Sequence, residues 1–376
     1  MLFKYRMGQT SILCLVSLST VLAGIISGSA IAQKDASDTF TPAALQAFTR
    51  LEPIDSHAHV FKDDPAFRNF LRRFHLHLLD IVVANKEDTA FPDLESKIAA
   101  AKAFLKDSGG QAALCTTFDP FKFSNETFAD NAIRLLDRDF AEGAVAVKIW
   151  KNVGMELKDQ SGRFVMPDDP RLQPIYKDIA AQGKTLIAHL AEPDSCWRPP
   201  NKNSPDYNYY NEHPEWYMFK QPDHPKKATI IQARDNMLEN NPQLRVVGAH
   251  LGSLEMDLDG LGQRLDRYPN FAVDVAARTV YLTLPRREKV RQFLIKYQDR
   301  IVYGTDLGLY ARQDTAAAEK SWAKEYATDW AFFSSDANVT YRGRVVQGLA
   351  LPEATLRKLY HDNAEHWIPG VTHDEK

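Results

Sequence analysis

Residues 54–60 read IDSHAHV, which sets His57 and His59 two apart behind Asp55. On an extended strand, residues i and i+2 point to the same face, so both imidazoles address one point. Imidazole nitrogen and carboxylate oxygen are ligands for zinc and related divalent ions. Three or four such ligands with one open position let a bound water lose its proton near neutral pH and act as a nucleophile. The spacing alone does not establish this, because paired histidines also hydrogen-bond within ordinary cores. His75 and His77 repeat it at a helix-to-strand transition, and His213, His224, His361, His366 and His373 fall in loops, the terminal helix or the tail. What distinguishes His57 and His59 is their company. His189 (IAHL), His250 (GAHL) and Asp306 (YGTD) each end a short apolar, β-branched run.

Those runs predict the scaffold. Eight of them recur, at 53–60, 78–85, 111–118, 144–150, 184–190, 244–251, 271–277 and 300–306. Between most lie stretches with apolar residues at helical spacing, such as LESKIAAAKAFLKD, LQPIYKDIAAQG and REKVRQFLIKYQDR. Strand–helix alternation repeated eight times predicts an α/β fold, a parallel sheet closed as a (β/α)8 TIM barrel. An open doubly wound sheet would carry a glycine-rich phosphate turn after its first strand, and none is present. The strand ends of a barrel converge on its C-terminal mouth, which places His57, His59, His189, His250 and Asp306 together. Two connections are unusually long. Residues 191–226, rich in Pro, Asn and aromatics, follow the fifth strand and are expected to lie over the mouth; a second runs from Leu307 to about Asn338.

Composition bounds the function. The chain has 376 residues, 44% hydrophobic and 25% charged, with a formal charge of −3, an ordinary globular balance with no basic footprint for nucleic acid. Lys4 and Arg6 precede an apolar run that ends in Ala30-Ile31-Ala32. This pattern reads as a secretory signal peptide over residues 1–32, cleaved after Ala32, which predicts an exported protein, periplasmic or secreted. No other stretch is long and apolar enough to span a bilayer. Cys14 lies within the leader, and Cys115 and Cys196 are expected to be free thiols. Residues 33–52 read as a lead-in with a short helix, and the barrel is expected over 53–370.

Other residues near the mouth carry chemistry in their types. Lys148 ends the fourth strand inside AVAVKIW, where a lysine needs a partner: a substrate group, a carboxylate such as Glu192, or a second metal. Trp150, Lys151 and Asn152 follow it, and Glu192 follows His189. Arg278 follows the seventh strand, placed either to clamp a carboxylate or to lie at the surface as an ordinary arginine. Trp197, Tyr207, Tyr209, Tyr210, Trp216 and Tyr217 crowd the long loop, ready to stack on a ring or to pack.

The motifs DSHAHV, IAHL, GAHLG and YGTD, in this order and closed by LPEATLRKLYHDNAEHWI, resemble the amidohydrolase superfamily over about residues 53–368. The likeness is to the amidohydrolase-related branch that includes aminocarboxymuconate semialdehyde decarboxylase. It implies that His57, His59, His189 and Asp306 bind a divalent metal, zinc being the first expectation. One ion is expected, or two if Lys148 is carboxylated and bridging. It implies that Asp306 also shuttles a proton and that His250 orients or deprotonates water or contacts substrate. The expected partner is a small molecule, and the resemblance leans towards a homodimer. The first expectation is hydrolysis of a small ester, lactone or amide. The alternative is non-oxidative decarboxylation of a small unsaturated or aromatic acid. A non-catalytic binding module would need the ligand set to be broken, and each of its positions is filled.

Overall fold

The computed structural model describes residues 39–86 and 90–372; the signal-peptide expectation lies outside the described residues. The eight expected strands are present as β1 (Ile54–Val60), β2 (His77–Ile81), β3 (Ala112–Thr117), β4 (Ala146–Ile149), β5 (Thr185–Ala188), β6 (Arg245–Gly248), β7 (Phe271–Asp274) and β8 (Ile301–Val302). All neighbouring pairs from β1 to β8 are parallel. The ring closes in a way that the sequence pattern did not foretell, because the eighth strand is broken. Its first half, β8, pairs with β7; its second, β9 (Leu307–Leu309), pairs with β1. Between them the Ser56 amide donates to Tyr303 O at 3.0 Å and the Asp306 amide donates to His57 O at 2.8 Å. Asp306 therefore sits at the break, with a left-handed φ of 66°.

The helices between strands follow the apolar spacing. Pro65–Phe74 starts at Asp64, whose side chain accepts from the Ala66 amide, and buries Phe67, Phe70, Leu71 and Phe74. Leu94–Asp107 is capped in the same way by Asp93. The second long connection is not a loop: it holds β9, a helix from Thr315 to Ser334, and an antiparallel hairpin of β10 (Asn338–Tyr341) and β11 (Arg344–Gln347). Arg342 and Gly343, with φ of 46° and 81°, make its tight turn. Among the described residues no helix is long and apolar enough to cross a membrane.

Alternation along the strands sorts residues into two cores. Val147, Ile149, Leu186, Val246 and Val273 face the helices. Leu79, Ile81, Ala113, Cys115, Ala146, Ile187, Val247, Ala272 and Val302 fill the barrel interior. Trp367, Ile368 and Val371 belong to that interior cluster, and the Asn363 and Trp367 side chains bond to Ile301 O and Asp299 O, so the C-terminal segment plugs the end away from the mouth. On β4, β5 and β7 a polar residue comes two places after the inner apolar one: Lys148 after Ala146, His189 after Ile187, Asp274 after Ala272. The polar layer thus rests directly on an apolar floor.

Candidate metal and active site

β1 reaches the site by a break in alternation. Ile54 belongs to the interior cluster, whereas Ala58 and Val60 pack outward. The pairing with β2 runs Asp55↔Leu78 and then Ala58↔Asp80, so one extra residue is inserted. This bulge switches the inward parity and turns His57 and His59 into the barrel. Gly304 makes room for them. A Cβ there would lie 2.9 Å from the Cβ of His57 and 3.3 Å from that of Ala276. Gly304→Ala is therefore expected to cost about 1–3 kcal/mol by overpacking and to displace His57. A denaturation midpoint unchanged from wild type would show that the wall yields freely.

The ligand atoms of His57, His59 and Asp306 lie within 4.8 Å of one another. Asp306 Oδ1 is 3.2 Å from His59 Nε2 and 3.4 Å from His57 Nε2. The far nitrogen of each ring is already committed. His57 Nδ1 is 2.8 Å from Asp274 Oδ2, His59 Nδ1 is 2.7 Å from Ile81 O, and His250 Nδ1 is 2.8 Å from Ala276 O. Oxygen acceptors on Nδ1 place the proton there and leave the Nε2 lone pair facing the centre, the arrangement seen where histidine binds a metal. His189 reaches the group through His250: its ring is 4.2 Å from that of His250, which is 4.8 Å from that of His57, and its Nε2 is 4.0 Å from Glu192 Oε1. Its buried Nε2 has no hydrogen-bond partner. An orphaned imidazole nitrogen on the same cleft as two imidazoles and a carboxylate fits a divalent cation. Burial pushes His57 and His189 well below the ordinary imidazole value, helped by Lys148 at His57 and by His250 at His189. Burial also takes His250 down to about 3. All three are neutral and able to donate a lone pair. Burial opposes ionisation of Asp306, and the His250, His59 and His57 rings, in their protonated form, outweigh it and hold the carboxyl well below its usual range.

The remaining expected residues divide. Lys148 is fully buried with Nζ 3.0 Å from His57 Nε2, so it meets the metal-facing nitrogen and not Glu192. The partner of Glu192 is Lys151, which ends its turn beyond the strand and bonds Glu192 Oε1 and, at 2.7 Å, the Tyr209 hydroxyl. Lys151 also stands 4.4 Å from the ring centre of Trp216, which closes edge-on against Trp150. Glu192 is thus held as a structural anion for the loop, which weakens its expected role as a substrate contact. Arg278 is not a surface arginine. It is 8% exposed, its Nε has no partner, and its nearest carboxylate oxygen is on Glu192 at 3.9 Å. Burial works against its charge, but Asp206, Glu255 and Glu192 more than restore it.

Loop 191–226 does cover the mouth, through Tyr207–Glu212 and short 3-10 turns. Asp206 fastens it, accepting from Ser195 Oγ at 2.6 Å and from the Tyr281 hydroxyl. Below it lies a cleft of about 410 Å³. Its lining includes Lys97, Lys148, Lys151, Arg278 and Arg342 against Glu192, Asp206 and Asp306. Sequence reasoning missed Lys97, Asp206, Arg342 and Asp274. Arg342 arrives from the unforeseen hairpin. Asp274 was signalled only by a carboxylate at an inward position of the otherwise apolar strand FAVD. Backbone strain gathers here as well, with left-handed φ at Ala191, His250, Leu251, Ala277 and Asp306.

The sequence model of the amidohydrolase family matches residues 54–369. No curated protein matches the sequence significantly. Among solved structures, a Staphylococcus aureus protein named provisionally as an amidohydrolase aligns at TM-score 0.50 and 12% identity, over 84% of this chain and 99% of that one. 2,6-Dihydroxybenzoate decarboxylase from Rhizobium aligns at 0.46 and 14%, over 84% and 98%. 5-Carboxyvanillate decarboxylase from Novosphingobium aromaticivorans, solved with manganese, aligns at 0.44 and 14%, over 84% and 95%. At such identities the first likeness speaks for the fold and the other two carry no argument about chemistry.

Proposed function

The chain belongs to the amidohydrolase family and is an enzyme of that superfamily, and from that premise we propose that it catalyses the metal-dependent, non-oxidative decarboxylation of a small unsaturated or aromatic acid. The observation that carries this reading is Arg278, a buried guanidinium with an unsatisfied Nε on a cleft where five Lys or Arg face three carboxylates. An acid substrate would bring a carboxylate to the Arg278 Nε that has no acceptor, whereas a neutral ester, lactone or amide offers only a carbonyl oxygen.

His57, His59, His189 and Asp306 would hold a divalent ion, whose chemistry is to polarise the oxygens of the bound acid. Arg278 orients the substrate carboxylate. Trp150, Tyr209 and Trp216, tied down through Lys151, exclude water. When the bond to the carboxylate breaks, its electron pair stays on carbon, carbon dioxide departs and a proton takes its place. Asp306 Oδ and the inward nitrogen of His250 are positioned to hold that proton. Asp306 beside the histidines also supports a second reading, hydrolysis of an ester or lactone that itself bears an acid, with Asp306 taking the proton of water.

One ion per chain by elemental analysis is expected, with Lys148 free to meet substrate; two would support a carboxylated, bridging Lys148 and turn the reading towards hydrolysis. Chelation should abolish turnover and added Zn2+ or Mn2+ restore it. With a panel of unsaturated and aromatic acids, carbon dioxide release without water uptake is expected. Water uptake without carbon dioxide on acid-bearing esters or lactones would overturn decarboxylation and leave hydrolysis standing. The leader read at residues 1–32 supports export, and a mature N-terminus at Gln33 in the exported fraction is expected.

A further inference from the structure

Asp274 is fully buried at the inward end of β7, and each of its oxygens is in use. Oδ2 accepts from His57 Nδ1 at 2.8 Å. Oδ1 accepts from two backbone amides, His250 N at 2.7 Å and Ala276 N at 3.1 Å. All three partners are donors, so the site calls for an acceptor on both sides, which a carboxylate supplies and an amide cannot. The contacts reach two different histidines. The bond to His57 sets which nitrogen carries the proton and turns Nε2 to the centre. The bonds to His250 N and Ala276 N hold the left-handed turn at His250, φ 60°, while Ala276 O receives His250 Nδ1. Both rings thus take their orientation from one side chain, although they come from β1 and β6, and those strands are not neighbours in the sheet.

We infer that Asp274 is a shared positioning residue, which binds no ion and no substrate itself but couples the ion-binding geometry of His57 to the orientation of His250. This rests on the metal-centre reading above. Asp274→Asn keeps the size of the side chain yet must set an N–H against either His57 Nδ1–H or the two amides.

The test uses Co2+ alone, titrated into metal-depleted full-length protein and followed by visible absorbance, with thermal midpoints of the metal-free forms alongside. Wild type is expected to bind, and Asp274→Asn to fold with a Kd about 10- to 100-fold weaker, the range typical of lost outer partners. Val273→Ala, on the outward face of the same strand, should lower the midpoint while leaving Kd within about twofold of wild type, as expected for a change confined to packing. An unchanged Kd in folded Asp274→Asn overturns the inference and leaves the metal centre intact. Complete loss of binding in the folded variant also overturns it, by making Asp274 a ligand. Failure of wild type to bind overturns the metal centre and the inference with it. If Asp274→Asn does not fold, the wild-type protein still decides. In the Cd2+ form, long-range 1H–15N correlations should show His57 protonated on Nδ1 and metal-bound through Nε2, and the reverse assignment overturns the inference.

Discussion

Asp306→Asn is expected to keep its metal and lose about a thousandfold in turnover, within the range of roughly 10²–10⁴ that a positioned acid–base group contributes. The substitution is unusually clean for this position. Asp306 has a φ of 66°, and asparagine tolerates the left-handed region about as well as aspartate, so the break in the eighth strand is preserved. The amide retains an oxygen where Oδ1 now lies, 3.2 Å from His59 Nε2 and 3.4 Å from His57 Nε2. What it lacks is the ability to take and return a proton. Metal content by elemental analysis and kcat on the same preparation separate the two. A rate within tenfold of wild type would remove Asp306 from proton transfer. Loss of metal in parallel with rate would reduce it to a ligand.

Arg278→Met should weaken use of an acid substrate by about thirtyfold or more in kcat/KM, because removing one partner of a buried charge pair costs roughly 2–5 kcal/mol. Methionine fills much of the same space, so the loop above Tyr281 should stay docked. The guanidinium is 8% exposed and nearest to Glu192 at 3.9 Å, and Glu192 keeps Lys151 as its partner in the variant. The loss should fall on the acid and spare its neutral methyl ester as a competitive ligand, and added guanidinium ion should restore part of the rate. Equal losses for the charged and neutral compounds would mean that Arg278 only packs the cleft wall.

The residues that make this centre were readable because barrel strands are local patterns. A run such as AVAVKIW declares its own inward and outward faces, and a polar residue two places after an inward apolar one must stand at the mouth. That argument fits Lys148 and His189, and position at the end of a strand reached His57, His59, His250 and Asp306, along with the eight strands that carry them. It also reached the covering loop, whose length and composition set it apart from the other connections.

The rest depended on residues far apart in the chain. Glu192 belongs to Lys151 and not to Lys148, because one lysine lies inside the strand and the other beyond its end, a difference of three positions that reverses direction. Arg278 is buried because residues 194–226 fold over it. Closure of the barrel needs Ser56 and His57 to meet Tyr303 and Asp306 across some 250 residues. The bulge in β1 and the left-handed turn at His250 have no periodic signature, since each is an exception to the local pattern held in place by a distant partner. Asp274 is that partner for His250, and nothing in FAVD says so. Local periodicity follows from backbone geometry and is written in neighbouring residues. Ion pairing, tautomer choice and strained turns follow from which side chains the completed barrel brings within hydrogen-bond range, and that is settled when the ring closes.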